Sequence, residues 1–216
     1  MQLNFDFTFI EVNNIKDNKK IPSLEIISYI KNVLTDYKEI KPILLFLKRY
    51  MKINRLNSSF HGGLSSYSTF LLLYAYIKSG ILSGNTLGHY LYGFLEFYSN
   101  FNFGIYSINL NLSNPFNVLT ELHDFGIMLI DPITNLNVAK STFKVDQIKS
   151  VFTKGVVIIR NIIIQKIDEN INKYNSKSIQ NKKFLEELFK DKNRTKIFES
   201  MNLSTLQDLD SIFKWK

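Results

Sequence analysis

Lys41-Pro42-Ile43-Leu44-Leu45-Phe46-Leu47-Lys48-Arg49-Tyr50-Met51-Lys52, with His61-Gly62-Gly63-Leu64-Ser65-Ser66-Tyr67-Ser68 shortly after it, is the stretch on which the fold turns. Pro42 suits the first turn of a helix, where its missing N–H is not needed. Ile43, Leu44, Phe46, Leu47, Tyr50 and Met51 cover most of the circumference of a helix running to about Met51, and a helix apolar nearly all round is a buried one. Lys41, Lys48 and Lys52 fall on one stripe, because offsets of seven and four residues return to the same face. Ammonium groups on a buried helix need water or an anion. The stripe is therefore either a phosphate site or a solvated edge along which lysines snorkel. Gly62-Gly63 either lets the backbone approach a ligand closely or simply makes a turn. Ser65 or Ser66 then caps a strongly apolar helix, Tyr67 to Ile77, closed by Gly80. The first N–H groups of such a helix bind phosphate well, and Tyr67 offers a ring on which a base can stack. No Gly-Lys-Ser/Thr follows, so this is not a Walker loop.

Upstream, Leu3, Phe5, Phe7 and Phe9 alternate with Asn4, Asp6 and Thr8, which predicts a strand with Asp6 on its polar face. Glu11 to Lys20 is polar and reads as a loop. Pro22-Ser23 starts a helix with Leu24, Ile27, Ile30 and Leu34 at helical spacing. Downstream, Leu87, Tyr90, Leu91, Phe94, Leu95 and Tyr98 mark another helix. Ile105 to Leu112 alternates like a strand, and Phe125 to Ile130 is a short apolar run ended by Asp131-Pro132. A helix is predicted from about Val145 to Ile167, then a Lys/Asn/Ser linker from Glu169 to Lys183. Two more helical patterns follow, Phe184 to Met201 and Leu203 to Phe213. No internal repeat is visible.

The 216 residues carry 27 Lys and Arg against 19 Asp and Glu, a net +8, which favours an anionic partner such as nucleic acid or nucleotide. With 45% hydrophobic residues the composition is globular, and one large domain or two small ones can be built. The absence of Cys excludes disulfides, thiolate metal sites and Cys nucleophiles. The 3 His stand far apart, so spacing suggests no multi-His zinc site. No unbroken apolar stretch reaches the length of a membrane span, and the start has neither the basic residues nor the small-residue cleavage site of a signal peptide. An intracellular, soluble protein is expected.

The remaining chemistry-bearing residues read as structure. Asp208-Leu209-Asp210 places its carboxylates on different sides of a helix. His89 and His123 have no partner at motif spacing. The aromatics from Tyr90 to Tyr106 fall mostly at helical spacing and suit core packing. The basic stretch Lys166 to Lys196 is a solvated surface, with non-specific RNA contact as the alternative.

Taken in order, these pieces resemble the Trf/Cid family of template-independent nucleotidyltransferases, in the DNA polymerase beta superfamily. The run Lys41 to Lys52, then Arg55-Leu56-Asn57, then Gly62 to Ser68, is similar to the family's central-domain motif. Asn85-Thr86-Leu87-Gly88 with Phe94-Leu95-Glu96-Phe97-Tyr98 resembles its poly(A)-polymerase-associated segment, about residues 85–145. Ile130-Asp131-Pro132, then Asn137-Val138-Ala139-Lys140-Ser141, resembles its nucleotide-recognition loop. The resemblance implies a mainly α fold: a helical central domain over residues 21–168, preceded by a remnant strand of the catalytic nucleotidyltransferase sheet over 1–20 and followed by a basic linker and helices over 169–216. It further implies that Asp6 is the third catalytic carboxylate and a metal ligand, that Lys48 and Lys52 bind the triphosphate, that Ser66 binds a phosphate, that Tyr67 stacks on the base, and that Asn13 and Asn137 belong to the nucleotide site. The implied chemistry is two-metal phosphoryl transfer, with Mg²⁺ or Mn²⁺ and ATP, to an RNA 3′ end. The implied setting is nuclear RNA surveillance or processing, with an RNA-binding zinc-knuckle protein and a helicase as partners.

Two departures from the family pattern shape the expectation. The Gly-Ser element and Asp-x-Asp that belong before the Asp6 strand are absent, so the chain is expected to hold one third of the metal site. The recognition loop reads Asn137-Val138-Ala139-Lys140 where Gly-Arg is usual after Val, and Leu136 stands where uridine-favouring members have His. Adenylation is thus the favoured activity. The alternatives are a non-catalytic nucleotide, RNA or protein interaction module, and a uridylyltransferase. The chain incubated with RNA, ATP and Mg²⁺ or Mn²⁺ is accordingly expected to add no tail; tailing that Asp6→Ala abolishes would overturn the expected deficit of carboxylates.

Overall fold

The computed structural model describes residues 22–81, 86–120 and 126–174. The predicted strand around Asp6, Asn13, Asn85, His123, the Asp208-x-Asp210 pair and the C-terminal helical patterns lie outside the described residues. Five helices and a small sheet make up the rest: α1 (Pro22–Asp36), α2 (Ile40–Ile53), α3 (Ser66–Lys78), α4 (Leu87–Asn100), β1 (Tyr106–Asn109), β2 (Phe116–Val118), β3 (Leu129–Ile130) and α5 (Val145–Tyr174). The fold class is mainly α, as read from the sequence. The sheet has the order β2-β1-β3, with β1 antiparallel to β2 and parallel to β3.

Helix α3 is the centre of the core. Phe70, Leu71, Leu72, Leu73, Ala75 and Tyr76 are all buried, so nearly its whole circumference is enclosed. It packs against α2, α4, β1 and β3. Each fully buried Leu or Phe contributes about 1.5–3 kcal/mol relative to exposure. Two tyrosine hydroxyls stitch the helices together. Tyr98 on α4 donates to the Leu72 carbonyl at 2.8 Å, and Tyr50 on α2 donates to the Val151 carbonyl of α5 at 2.8 Å. Phe94 and Phe152 meet edge to face at 5.5 Å between α4 and α5. Phe97, Tyr98, Phe101 and Phe116 join α4 to the sheet through contacts of 4.9–6.5 Å. The aromatic run is therefore packing, as expected from its spacing. His89 is also structural: it is buried, its ring nitrogen lies 2.6 Å from the Thr86 hydroxyl, and its N–H bonds the same oxygen at the start of α4.

Two sequence expectations are corrected and one strand is added. Helix α2 is amphipathic rather than enclosed: Ile43, Phe46, Leu47, Tyr50 and Met51 are buried, while Lys41, Leu45, Lys48, Arg49 and Lys52 are exposed. Leu45 is 59% exposed, which shows that an apolar residue does not mark a buried face by itself. Helix α5 runs on to Tyr174, into the stretch expected to be linker. No Gly or Pro stands between Asp168 and Tyr174 to stop it. Strand β2 had no predicted counterpart, since Phe116-Asn117-Val118 is too short to establish a period.

The junction between α2 and α3 fixes everything that follows. Helix α2 ends in a Schellman motif, with Leu56 N–H donating to Met51 O at 2.9 Å and Arg55 N–H to Lys52 O at 3.0 Å. Arg55 occupies the left-handed position with φ 57°, where glycine is usual. The chain then turns back. Leu64 N–H donates to Leu56 O at 2.9 Å and Gly63 N–H to Ser58 O at 2.8 Å. A Cβ on Gly63 would collide with the Leu56 carbonyl, so this glycine serves the approach of backbone to backbone rather than to a ligand. Gly62, at φ 80°, lies under the Phe143 ring.

The two positions give opposite expectations in urea denaturation. Arg55→Gly relieves left-handed strain of about 1–2 kcal/mol and loses about 0.5–1 kcal/mol to chain entropy, so stability should rise by up to about 1.5 kcal/mol. Gly63→Ala must displace backbone and should lower stability by on the order of 3 kcal/mol or more.

Candidate functional site

Lys48, Arg49 and Lys52 stand on the exposed side of α2 and line a cleft of about 600 Å³. Its other wall is the start of α3, represented by Ser66 and Thr69, with Asn57 between the helices and Met51 and Leu64 at its base. The elbow just described brings these walls together. Among the described residues neither Lys48 nor Lys52 has an ion-pair partner. The N-cap of α3 is Ser65, whose hydroxyl oxygen accepts from Ser68 N–H at 2.9 Å. Thr69 N–H and hydroxyl both bond the Ser65 carbonyl at 2.9 Å. This cap does not use the N–H groups of Ser66 and Tyr67, the first two of the helix. Two ammonium groups, a guanidinium and a helix N-terminus therefore share one cleft, which suits a polyanion.

Tyr67 stands one residue beyond Ser66. Its ring is half-buried and stacks on Phe70 with centroids 6.2 Å apart and planes 14° from parallel. Its hydroxyl donates to Asp131 Oδ1 at 2.9 Å. Burial, and then this bond to the Asp131 carboxyl, push the Tyr67 phenol well above its ordinary value. Asp131 is only 1% exposed. It also accepts from Ile133 N–H at 3.0 Å and from the Thr134 hydroxyl at 2.8 Å. One side chain thus closes the 131–137 loop on itself and ties it to α3. A second tie is the Ser68 hydroxyl, which donates to Val138 O at 3.2 Å.

Asn137 is a staple of the same loop. Its Oδ1 accepts from Leu129 N–H at 3.1 Å and from Ala139 N–H at 3.0 Å, and its Nδ2 donates to Ile127 O at 3.0 Å. All of these partners lie within the loop and its strand. The structure therefore brings Lys48, Lys52 and Ser66 into one cleft and sets Tyr67 beside them. Asn137 is in the loop that braces Tyr67, while Asp6 and Asn13 fall outside the described residues. Sequence reading assigned no role to Arg49, Asn57 or Asp131, although all three lie within the quoted motifs. Arg49 adjoins Lys48 and was legible once α2 proved amphipathic; the Tyr67–Asp131 bond spans 64 residues and leaves no spacing signal. Among the described residues no group of three or more His, Asp or Glu comes together as a metal site.

No protein-family model matches the chain. Poly(A) RNA polymerase gld-4 of Caenorhabditis elegans is 31% identical over 151 residues, 61% of this chain and 18% of that protein. Poly(A) RNA polymerase protein 1 of Saccharomyces cerevisiae is 24% identical over 178 residues, 74% of this chain and 26% of that protein. The chain thus spans about a fifth to a quarter of the length of these relatives. In fold it is similar to the polymerase core of TRAMP, an RNA surveillance complex, with a TM-score of 0.54 at 20% identity over 66% of this chain and 48% of that one. By sequence the chain is similar to parts of poly(A) RNA polymerases, and by fold to part of a polymerase core.

The Tyr67–Asp131 tie is open to a double-mutant cycle. Tyr67→Phe should cost about 1 kcal/mol and Asp131→Asn about 1–3 kcal/mol, measured by chemical denaturation. The double variant should fall short of the sum by at least about 0.5 kcal/mol, and strict additivity would show that the two groups do not share a bond in solution.

Proposed function

We propose that the cleft between α2 and α3 binds the triphosphate of ATP, and that the chain is the helical central part of an enzyme that adds adenylates to RNA 3′ ends. The observation that carries this reading is the meeting of Lys48, Lys52 and the Ser66 end of α3 on one cleft, with no carboxylate paired to either lysine among the described residues. The lysines would neutralise phosphate charge from one wall. The Ser66 hydroxyl and the first N–H groups of α3 would donate from the other. Tyr67, held by Asp131, would present its ring to the base. The names of the curated relatives support adenylation.

Membership of the Trf/Cid branch and a poly(A)-polymerase-associated segment over about 85–145 belong to the same proposal. So do nuclear location and a surveillance complex with a zinc-knuckle protein and a helicase; the fold shared with the polymerase core of TRAMP, an RNA surveillance complex, supports the surveillance setting. The implied Mg²⁺ or Mn²⁺ has no donor cluster among the described residues. No helix among the described residues is long and apolar enough to cross a membrane.

Calorimetric titration of ATP tests the reading. Loss of one charge-assisted phosphate contact should weaken binding about ten- to hundred-fold in Lys48→Ala or Lys52→Ala. Lys154→Ala, on the exposed side of α5, should leave it unchanged. Equal affinities in all three would return the lysine stripe to a solvated edge.

A further inference from the structure

Phe60 is 87% exposed and Phe143 is 68% exposed, and these two rings belong to one place in the fold. Phe143 lies over Gly62, so closely that a Cβ there would stand 2.6 Å from the ring. Phe60, two residues before Gly62, has its ring 5.1 Å from that of His61, edge to face. His61 is itself exposed. Exposed aromatic rings are costly in water, and clustered ones mark a contact surface.

These rings stand on fixed backbone. His61 N–H donates to Ser58 O at 3.2 Å, and its ring nitrogen lies 3.1 Å from the Ser58 hydroxyl. Lys144 N–H donates to Gly62 O at 2.9 Å, and the Thr142 hydroxyl donates to Gly63 O at 3.0 Å. The segments that carry Phe60 and Phe143 are thus hydrogen-bonded to each other. The cleft residues Asn57 and Leu64 flank the first of these segments in sequence, so Phe60 and His61 stand on the loop that joins the two walls of the cation-lined cleft.

Charge selects the kind of partner. From Lys48 to Leu64 and from Val138 to Val145 the charged residues are Lys48, Arg49, Lys52, Arg55, Lys140 and Lys144, with no carboxylate in either stretch. The nearest acidic residues in sequence are Asp146, directly after Val145 at the start of α5, and the buried Asp131. Flat apolar rings among cations match a chain of unpaired bases on a phosphate backbone. A helical protein groove or an acidic peptide would use the cations but leave the ring faces unexplained.

We propose that Phe60, His61 and Phe143 form a stacking platform for single-stranded RNA beside the Lys48/Lys52 cleft. The platform rests on the RNA-adenylating reading for its ligand class, and it assigns the place where bases upstream of the RNA 3′ end are held. The rings take bases by stacking, while Arg55, Lys140 and Lys144 supply charge along the backbone.

The test uses the chain itself and a fluorescein-labelled oligoadenylate, followed by anisotropy. Phe60→Leu and Phe143→Leu keep apolar bulk and remove the ring. Each should weaken RNA binding roughly five- to hundred-fold, whereas Val118→Ala on the exposed edge strand should not. Phe60 packs so little that Phe60→Leu should fold as the parent does, checked by circular dichroism. ATP affinity should be unchanged in both Leu variants, and duplex RNA should compete poorly. The proposal is overturned if the parent does not bind the oligonucleotide, or if both Leu variants bind it like the parent. It is equally overturned if the substitutions alter self-association in sedimentation and leave RNA affinity alone, which would make the patch a protein contact. Ring-dependent RNA binding without any ATP binding would sink the adenylation reading and leave the platform standing.

Discussion

The close approach of Gly63 to the Leu56 carbonyl holds the molecule's functional face together. A helix with cations on one side and a helix with an open N-terminus are ordinary features apart. Brought to one cleft, they make an anion site. The approach requires a residue without Cβ, and it uses the Leu64–Leu56 backbone bond of 2.9 Å to set the distance between the walls. The left-handed Arg55 aims the chain into that turn. A side chain at Gly63 would push the walls apart before it touched any ligand.

The second constraint is the burial of Asp131. A carboxyl with 1% exposure is tolerable only if its oxygens are occupied, and three donors occupy them. One of the three is Tyr67 on α3, while the other two are within the loop. The loop and the ring therefore form one unit. Asn137 does the same for the far end of the loop, bonding its own strand and turn through both ends of its amide.

Much of the fold was legible in the sequence. The caps of α3, the period of α4 and the start of α5 follow from local chemistry, and local chemistry is what a sequence displays. The Ser65 cap and the Gly80 stop fell where expected. The solvent-facing side of α2 was read too narrow: the Lys41/Lys48/Lys52 stripe is exposed, but so are Leu45 and Arg49, and Leu45 and Leu44 look alike in composition and differ only in what packs on them. The end of α5 was placed too early, because a polar Asn/Lys stretch carries no stop signal of its own. In the site, the Lys48/Lys52 spacing and the serine-capped start of α3 at Ser66 were visible because each is a local signal within one helix. The Tyr67–Asp131 bond and the double role of Gly62-Gly63 were not, because both depend on which distant segments the fold sets side by side.

The enclosure of α3 has a consequence for how the domain opens. Beyond its open first turn this helix is buried on nearly every face, so its hydrogen-bonded amides from Phe70 to Tyr76 should exchange with solvent only when the whole domain unfolds. Ser66 and Tyr67 are its first residues. A ligand held there by the helix end is bound to the most cooperative part of the structure. Occupancy of the cleft and global stability are thus linked: a ligand bound there should raise the free energy of unfolding, while weakening a remote aromatic contact such as Phe94 with Phe152 lowers that free energy without changing the ligand's affinity for the folded form.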